Sequence, residues 1–321
     1  MTYRNSLQGR FVATGYPAVG MFVVSLFLWA LSAVRGVSWG CTLPVFWELG
    51  DIASRAISFS AYVVVAFVLG NMYLFERRVQ WLPALFMWLT AVLPFVQPCY
   101  MSALSLLLFL FSVALLLECG REAEPVRVIY GAFALLAFSS LLSAQLVLLL
   151  PLFVVYQFVA RVASARGLAA ALLGVLTPFW LLGGVIYVYP SLGVLLLPAK
   201  LCFTRLVPFT ELCLPPLLYA VLAIEVVVTV VTAYIYATSS YPAKPLLRKR
   251  LLFLLLLNVY LLLLTFVFPQ ECLLFLVWRM PGVAVMASYA FSMKVTKVSN
   301  IYFVSLNVAW LLVAFVCLWI G

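Results

Sequence analysis

The chain has 321 residues, 67% of them apolar and 9% charged, with a formal net charge of +10 and no histidine. Soluble domains carry about 45–50% apolar and about 25% charged residues, so a water-solvated core is excluded and the implied solvent is lipid. The absence of histidine removes the commonest metal ligand and the commonest general base. The basic residues fall in short turns between apolar runs, the pattern of membrane topology and not of a nucleic-acid-binding face.

Taken in order, the apolar runs predict helical spans near 17–34, 56–74, 81–96, 100–118, 128–143, 146–160, 168–189, 212–238, 251–268, 272–291 and 301–320. Helix is required because a lone segment in lipid must satisfy its own backbone hydrogen bonds. The first run follows Arg4 and Arg10. It exceeds the roughly 7–15 residues of a signal-peptide core, so it reads as a retained span. The expected fold is therefore an all-α polytopic transmembrane bundle of about eleven spans, one membrane-embedded domain over residues 1–321 with no soluble domain.

The runs 128–143 and 146–160 are short for a crossing, which takes about 20 residues. They are either a hairpin of two helices or one long tilted helix. Charge favours the hairpin. With a cytoplasmic amino terminus and two spans here, the inner turns hold Arg77 and Arg78, Arg121 and Arg127, Arg161 and Arg166, and the run Arg248-Lys249-Arg250. A single span would turn that last run outward, against the positive-inside rule. Two outer segments are long. Residues 35–55 carry Trp39, Trp47, Glu48 and Asp51, and residues 191–211 carry Lys200 and Arg205 between Pro198 and Pro208. The other outer connections are tight, at Gln97–Cys99, Ala144–Gln145 and Pro269–Glu271.

Several stretches carry a resemblance: Gly70-Asn71 with Glu76-Arg77-Arg78, the Ser/aromatic hairpin through Pro151, LLGVLTPFWLL at Leu172–Leu182, and MPGVAVMASYAF at Met280–Phe291. Together they make a chain that resembles a family of polytopic inner-membrane proteins of Bacteroidetes-type bacteria, some of which carry the label carotene monooxygenase. The resemblance implies a multi-pass setting in the bacterial inner membrane and no particular activity. The oxygenase label does not suit the chain, because an iron centre of that kind takes several histidines.

The sharpest candidate for chemistry is Glu225, about 20 Å from either face of its span at 1.5 Å per residue. An ionisable group at that depth is a functional candidate. Thr229, Thr232 and Tyr236 follow at +4, +7 and +11 on one helix face. The plainer reading is a protonated glutamic acid bonded to a neighbouring helix. Arg279, deep in its own span, either pairs with Glu225 or snorkels outward, and snorkelling is the expectation. Asn71, Gln157, Asn258 and Asn307, near the expected cytoplasmic ends, either line an inward-facing polar pocket or serve as interhelical glue, and glue is the expectation. Ala170 and Gly174 read as a close-packing pair, and Gly183-Gly184 after Pro178 as a kink or a packing groove.

Glu48 and Asp51, three apart in the first long outer segment, are similar in placement to the acids of membrane glycosyltransferases that use lipid-phosphate sugar donors. That similarity implies a catalytic base at Glu48 or Asp51 and a donor phosphate held by Lys200 and Arg205. The plainer reading is an acidic turn offset by Arg55. The seven cysteines lack metal-site spacing and read as apolar helix residues. No phosphate-binding glycine loop or serine nucleophile motif is present, and no cofactor is expected.

Three classes of function follow. The first is an envelope enzyme transferring or polymerising a lipid-linked sugar. The second is a secondary transporter using Glu225 with Thr229 and Arg279. The third is a non-catalytic subunit of an envelope complex. The expected partners are membrane lipids, a lipid-linked sugar and other envelope membrane proteins, not nucleic acid.

Overall fold

The computed structural model describes residues 16–35, 51–72, 81–91, 100–121, 125–190, 216–239, 245–293 and 297–320. Among these the regular elements are all helical: α1 (Tyr16–Arg35), α2 (Asp51–Asn71), α3 (Leu82–Ala91), α4 (Tyr100–Glu118), α5 (Pro125–Leu142), α6 (Leu150–Ala160), α7 (Ala165–Val188), α8 (Pro216–Ser239), α9 (Pro245–Val267), α10 (Cys272–Met293) and α11 (Lys297–Ile320). Two short 3-10 helices, Ala144–Leu149 and Pro269–Glu271, lead into α6 and α10. Among the described residues, eight helices are long and apolar enough to cross a membrane, and the apolar stretches 18–31, 82–91 and 144–160 are shorter. This is a multi-pass membrane protein.

The chain forms two compact units. One comprises Met1–Cys41, Tyr62–Pro98 and Glu211–Gly321, the other Thr42–Ala61 and Cys99–Thr210. In the second, α4 and α5 form an antiparallel hairpin whose seam is made by serines. The Ser112 hydroxyl donates to the Ala132 carbonyl at 2.7 Å, and the Ser139 hydroxyl donates to the Ser105 carbonyl at 2.7 Å. In lipid, where apolar contact gives no hydrophobic drive between helices, such bonds and close packing are what hold a seam.

The stretch 128–160 is a hairpin. Ser143 is extended at φ −146° and ψ 95°, which breaks the helix. The rings of Phe133 and Phe153 stand 5.8 Å apart, edge to face. One straight helix would separate them by about 30 Å at its 1.5 Å rise per residue. The connection differs from a bare Ala144–Gln145 turn, because the chain re-enters through a 3-10 helix before α6 begins at Leu150, with Pro151 in its first turn.

Helix α7 packs on α5 through Gly174. A Cβ there would lie 2.6 Å from the Tyr130 carbonyl oxygen and 3.0 Å from the Phe133 Cβ, so only a residue without a side chain allows the approach. Ala170, one turn earlier, is buried as well, which is the small-residue pairing expected of this stretch. Pro178 removes the amide that would have bonded the Gly174 carbonyl. Gly183 and Gly184 meet nothing within 4 Å, so neither lines a packing groove among the described residues.

In the first unit α10 is the most enclosed of the candidate spans, buried at all but a few positions over Pro269–Ser292. The turn at Pro269–Glu271 folds it against α9, and the two meet closely where Asn258 lies over Gly282. A Cβ on Gly282 would fall within 3.0 Å of three Asn258 side-chain atoms. Phe291 stacks edge to face on Phe303 of α11 at 5.0 Å, and Trp310 of α11 donates its indole N–H to the Leu89 carbonyl of α3 at 3.3 Å. Helix α9 starts at Pro245, six residues ahead of the expected span. Arg248, Lys249 and Arg250 therefore belong to its first turns and not to a loop, with Arg250 buried. Proline suits that first position, where an amide would have no acceptor.

Candidate functional site

Helix α8 presents Glu225 and Thr229 one turn apart on a single face, and both are buried, as is Thr232 below them. The Thr229 hydroxyl donates to the Glu225 backbone carbonyl at 2.8 Å, and that of Thr232 to the Val228 carbonyl at 2.8 Å. These bonds within the helix leave the Thr229 oxygen free to accept from elsewhere.

Arg279 of α10 supplies the donor. One terminal nitrogen of its guanidinium donates to Glu225 Oε2, and the other donates to Thr229 Oγ1 at 2.9 Å. The forked, planar donor set of arginine matches two acceptors spaced by a helical turn. The Arg279 side chain is fully buried and that of Glu225 is 1% exposed. Snorkelling does not occur. An unpaired guanidinium at this depth is costly, and a carboxylate of opposite sign lies within reach, so pairing wins over extension toward a distant interface.

Two polar atoms of the cluster have no partner among the described residues: Oε1 of Glu225 and Nε of Arg279. One is an acceptor and the other a donor. Pro281, two residues after Arg279, leaves the Val277 carbonyl without its intrahelical amide. The arrangement is thus a neutralised pair with one vacancy of each kind, next to an interruption in the ladder of α10.

The remaining polar stripe is structural. Tyr236 donates to the Arg248 carbonyl of α9 at 3.3 Å. Among the described residues, no side-chain hydrogen bond of these amides crosses to another helix. Asn71, Asn258 and Asn307 each donate to the carbonyl four residues back in their own helix, at 2.9, 2.9 and 2.8 Å. A short side chain on a helix reaches its own i−4 carbonyl before it reaches a neighbour. Gln157 is fully buried, and neither of its amide atoms has a partner among the described residues. The contact of Asn258 with Gly282 is a feature that sequence reasoning missed. The signal was present, since a glycine inside an apolar span implies a close approach, but nothing in the sequence named its partner.

Of the seven candidate site residues, the structure brings Glu225, Thr229 and Arg279 together. Glu48, Lys200 and Arg205 lie outside the described residues. Asp51 is the first residue of α2, and its side chain lies outside them too. Among the described residues no three His, Cys, Asp or Glu side chains gather as metal ligands. Comparison with models of protein families, with curated proteins and with solved structures finds no match.

Proposed function

We propose that this protein is a secondary transporter of the bacterial inner membrane, in which the Glu225–Arg279 pair is the lock that a coupling proton or a substrate opens. The observation that carries the reading is the pair itself: two full charges buried inside apolar helices, each with one unfilled hydrogen-bonding position. Ionisable groups inside spanning helices characteristically mark ion and substrate pathways. A purely structural junction has no need of them, because apolar residues of similar volume hold helices as well or better.

The pair has the energetics of a switch. Protonating Glu225, or offering Arg279 a competing anion, leaves a buried charge without its partner, a penalty of about 3–5 kcal/mol. A shift of about 5.5 kcal/mol carries a two-state equilibrium from 1:99 to 99:1, so the pair alone supplies most of what a change of state needs. The interrupted ladder at Pro281 is where α10 has least resistance to such a change. In this reading the amino terminus and the turn at 161–164 face the cytoplasm, as the arginines imply. Transfer of a lipid-linked sugar remains the reading attached to Glu48, Asp51, Lys200 and Arg205, and no observation here favours it.

The test is solid-supported-membrane electrophysiology on proteoliposomes of the full chain. The probes are pH and sodium jumps, then L-amino acids, C4 dicarboxylates and hexoses. At least one probe should give a transient current that Glu225→Gln reduces by about tenfold or more, the size expected when an essential charge is removed. Silence to all probes, or a current untouched by Glu225→Gln, overturns the proposal.

A further inference from the structure

The turn joining α6 to α7 gathers groups that the ion pair does not use. Helix α6 ends at Ala160, and Arg161 takes the left-handed conformation at φ 62°. Ser164 then caps α7, its hydroxyl accepting from the Gly167 amide at 3.0 Å. The amides of Ala165 and Arg166 ahead of it have no acceptor within the helix, as in any first turn. Arg161 and Arg166 are both exposed. Arg127 lies in the first turns of α5, two residues before Ile129. The Ile129 side chain comes within 3.4 Å of where a Cβ on Gly167 would be.

A second observation is independent of the helix end. The Gln157 carboxamide is fully buried, lacks a partner on either atom among the described residues, and ends 3.6 Å from that same position on Gly167. Buried amides without partners are rare and call for an explanation. This one stands beside the first turn of α7, where the helix dipole and free amides favour an anion.

We propose that this end of α7 binds a phosphate group, held by the amides of Ala165 and Arg166, the Gln157 carboxamide and the guanidinium groups of Arg161 and Arg166, with Arg127 at the rim. The donors outnumber the acceptors, and arginine forks suit phosphate oxygens. The carboxamide rotates so that its NH2 faces the ligand, an orientation set by the hydrogen-bonding partner. Glu118, the described carboxylate at this end of α4, is already engaged by Arg121 at 3.5 Å. The ends of spanning helices stand at headgroup depth, so an anionic lipid is one source of the phosphate and the free ion is the other.

The experiment uses the full chain, stripped of lipid in detergent. Native mass spectrometry follows retention of dioleoyl phosphatidylglycerol against dioleoylglycerol, which lacks the phosphate, and titration measures inorganic phosphate. The wild type should retain the phospholipid and lose about tenfold or more of that preference in Arg161→Asn/Arg166→Gln, since basic residues at headgroup depth supply the attraction to an anionic lipid. Asparagine keeps the left-handed conformation accessible at 161. Variant-sensitive binding of phosphatidylglycerol alone assigns a lipid headgroup, and variant-sensitive binding of inorganic phosphate assigns the free ion. Equal binding of both probes by wild type and variant overturns the site. Should the double variant unfold, Gln157→Leu and Arg161→Lys/Arg166→Lys are read instead. Each should weaken binding by about threefold or more, because lysine lacks the fork, and unchanged binding in both overturns the proposal.

Discussion

In the first unit α8 and α10 meet through two full charges and a hydroxyl, whereas in the second α5 meets α4 through serine hydroxyls and α7 through the bare backbone of Gly174. Both seams solve the same problem, the absence of a hydrophobic drive between helices in lipid. They differ in what failure costs. A serine that loses its carbonyl turns back on its own helix, as Ser140 does with Ala137 at 2.7 Å. A buried guanidinium that loses its carboxylate has no such retreat. The small-residue seam is therefore tolerant and the ionic one is conditional, and a conditional contact is the kind that changes state.

The largest effect should come from splitting the pair. Arg279→Met strands Glu225 and should lower stability by about 3–5 kcal/mol, while Glu225→Leu/Arg279→Met should recover most of that loss. Reversible unfolding of the purified protein in mixed micelles reads both values. A double variant as unstable as the single would mean that the charges are held by more than each other, and the contrast between the seams would collapse. Next in size is Gly174→Ala. Its new methyl would meet the Tyr130 carbonyl at 2.6 Å, and forcing α5 and α7 apart should cost about 1–3 kcal/mol. Gly183→Ala, in the same helix but in open space, should instead gain up to about 1 kcal/mol. Equal effects at the two glycines would show that backbone freedom, and not close approach, governs α7.

Much of this was legible along the chain and little of it across. Helix 100–118 and the turn at Pro269–Glu271 match their expected bounds. The hairpin at 128–160 followed from charge parity alone, since a single span would have put Arg248-Lys249-Arg250 on the wrong side. Gly174 was legible too, because a small residue one turn from Ala170 has few other uses. The ion pair was not. Glu225 and Arg279 are 54 residues apart, on helices that are apolar nearly all round, so no periodic stripe gives their rotation about their own axes. Without that rotation, outward extension of Arg279 and pairing cannot be told apart. Arg250 hid for another reason: basic residues near an interface read as a turn whether or not the helix has already begun.

The smallest effect tests the tolerant seam most directly. Ser139→Ala removes a hydroxyl that reaches the Ser105 carbonyl at 2.7 Å, and Ser112→Ala removes its counterpart on the Ala132 carbonyl. Each should cost about 0.6 kcal/mol, the average for a hydrogen bond between membrane helices. Both carbonyls already accept from their own helix, so no orphan is left behind. The two losses should add, since the serines are on different helices and share no partner. Unfolding of the single and double variants checks this. A combined loss well above the sum would mean that the α4–α5 seam closes as one cooperative unit, as conditional in its own way as the ion pair.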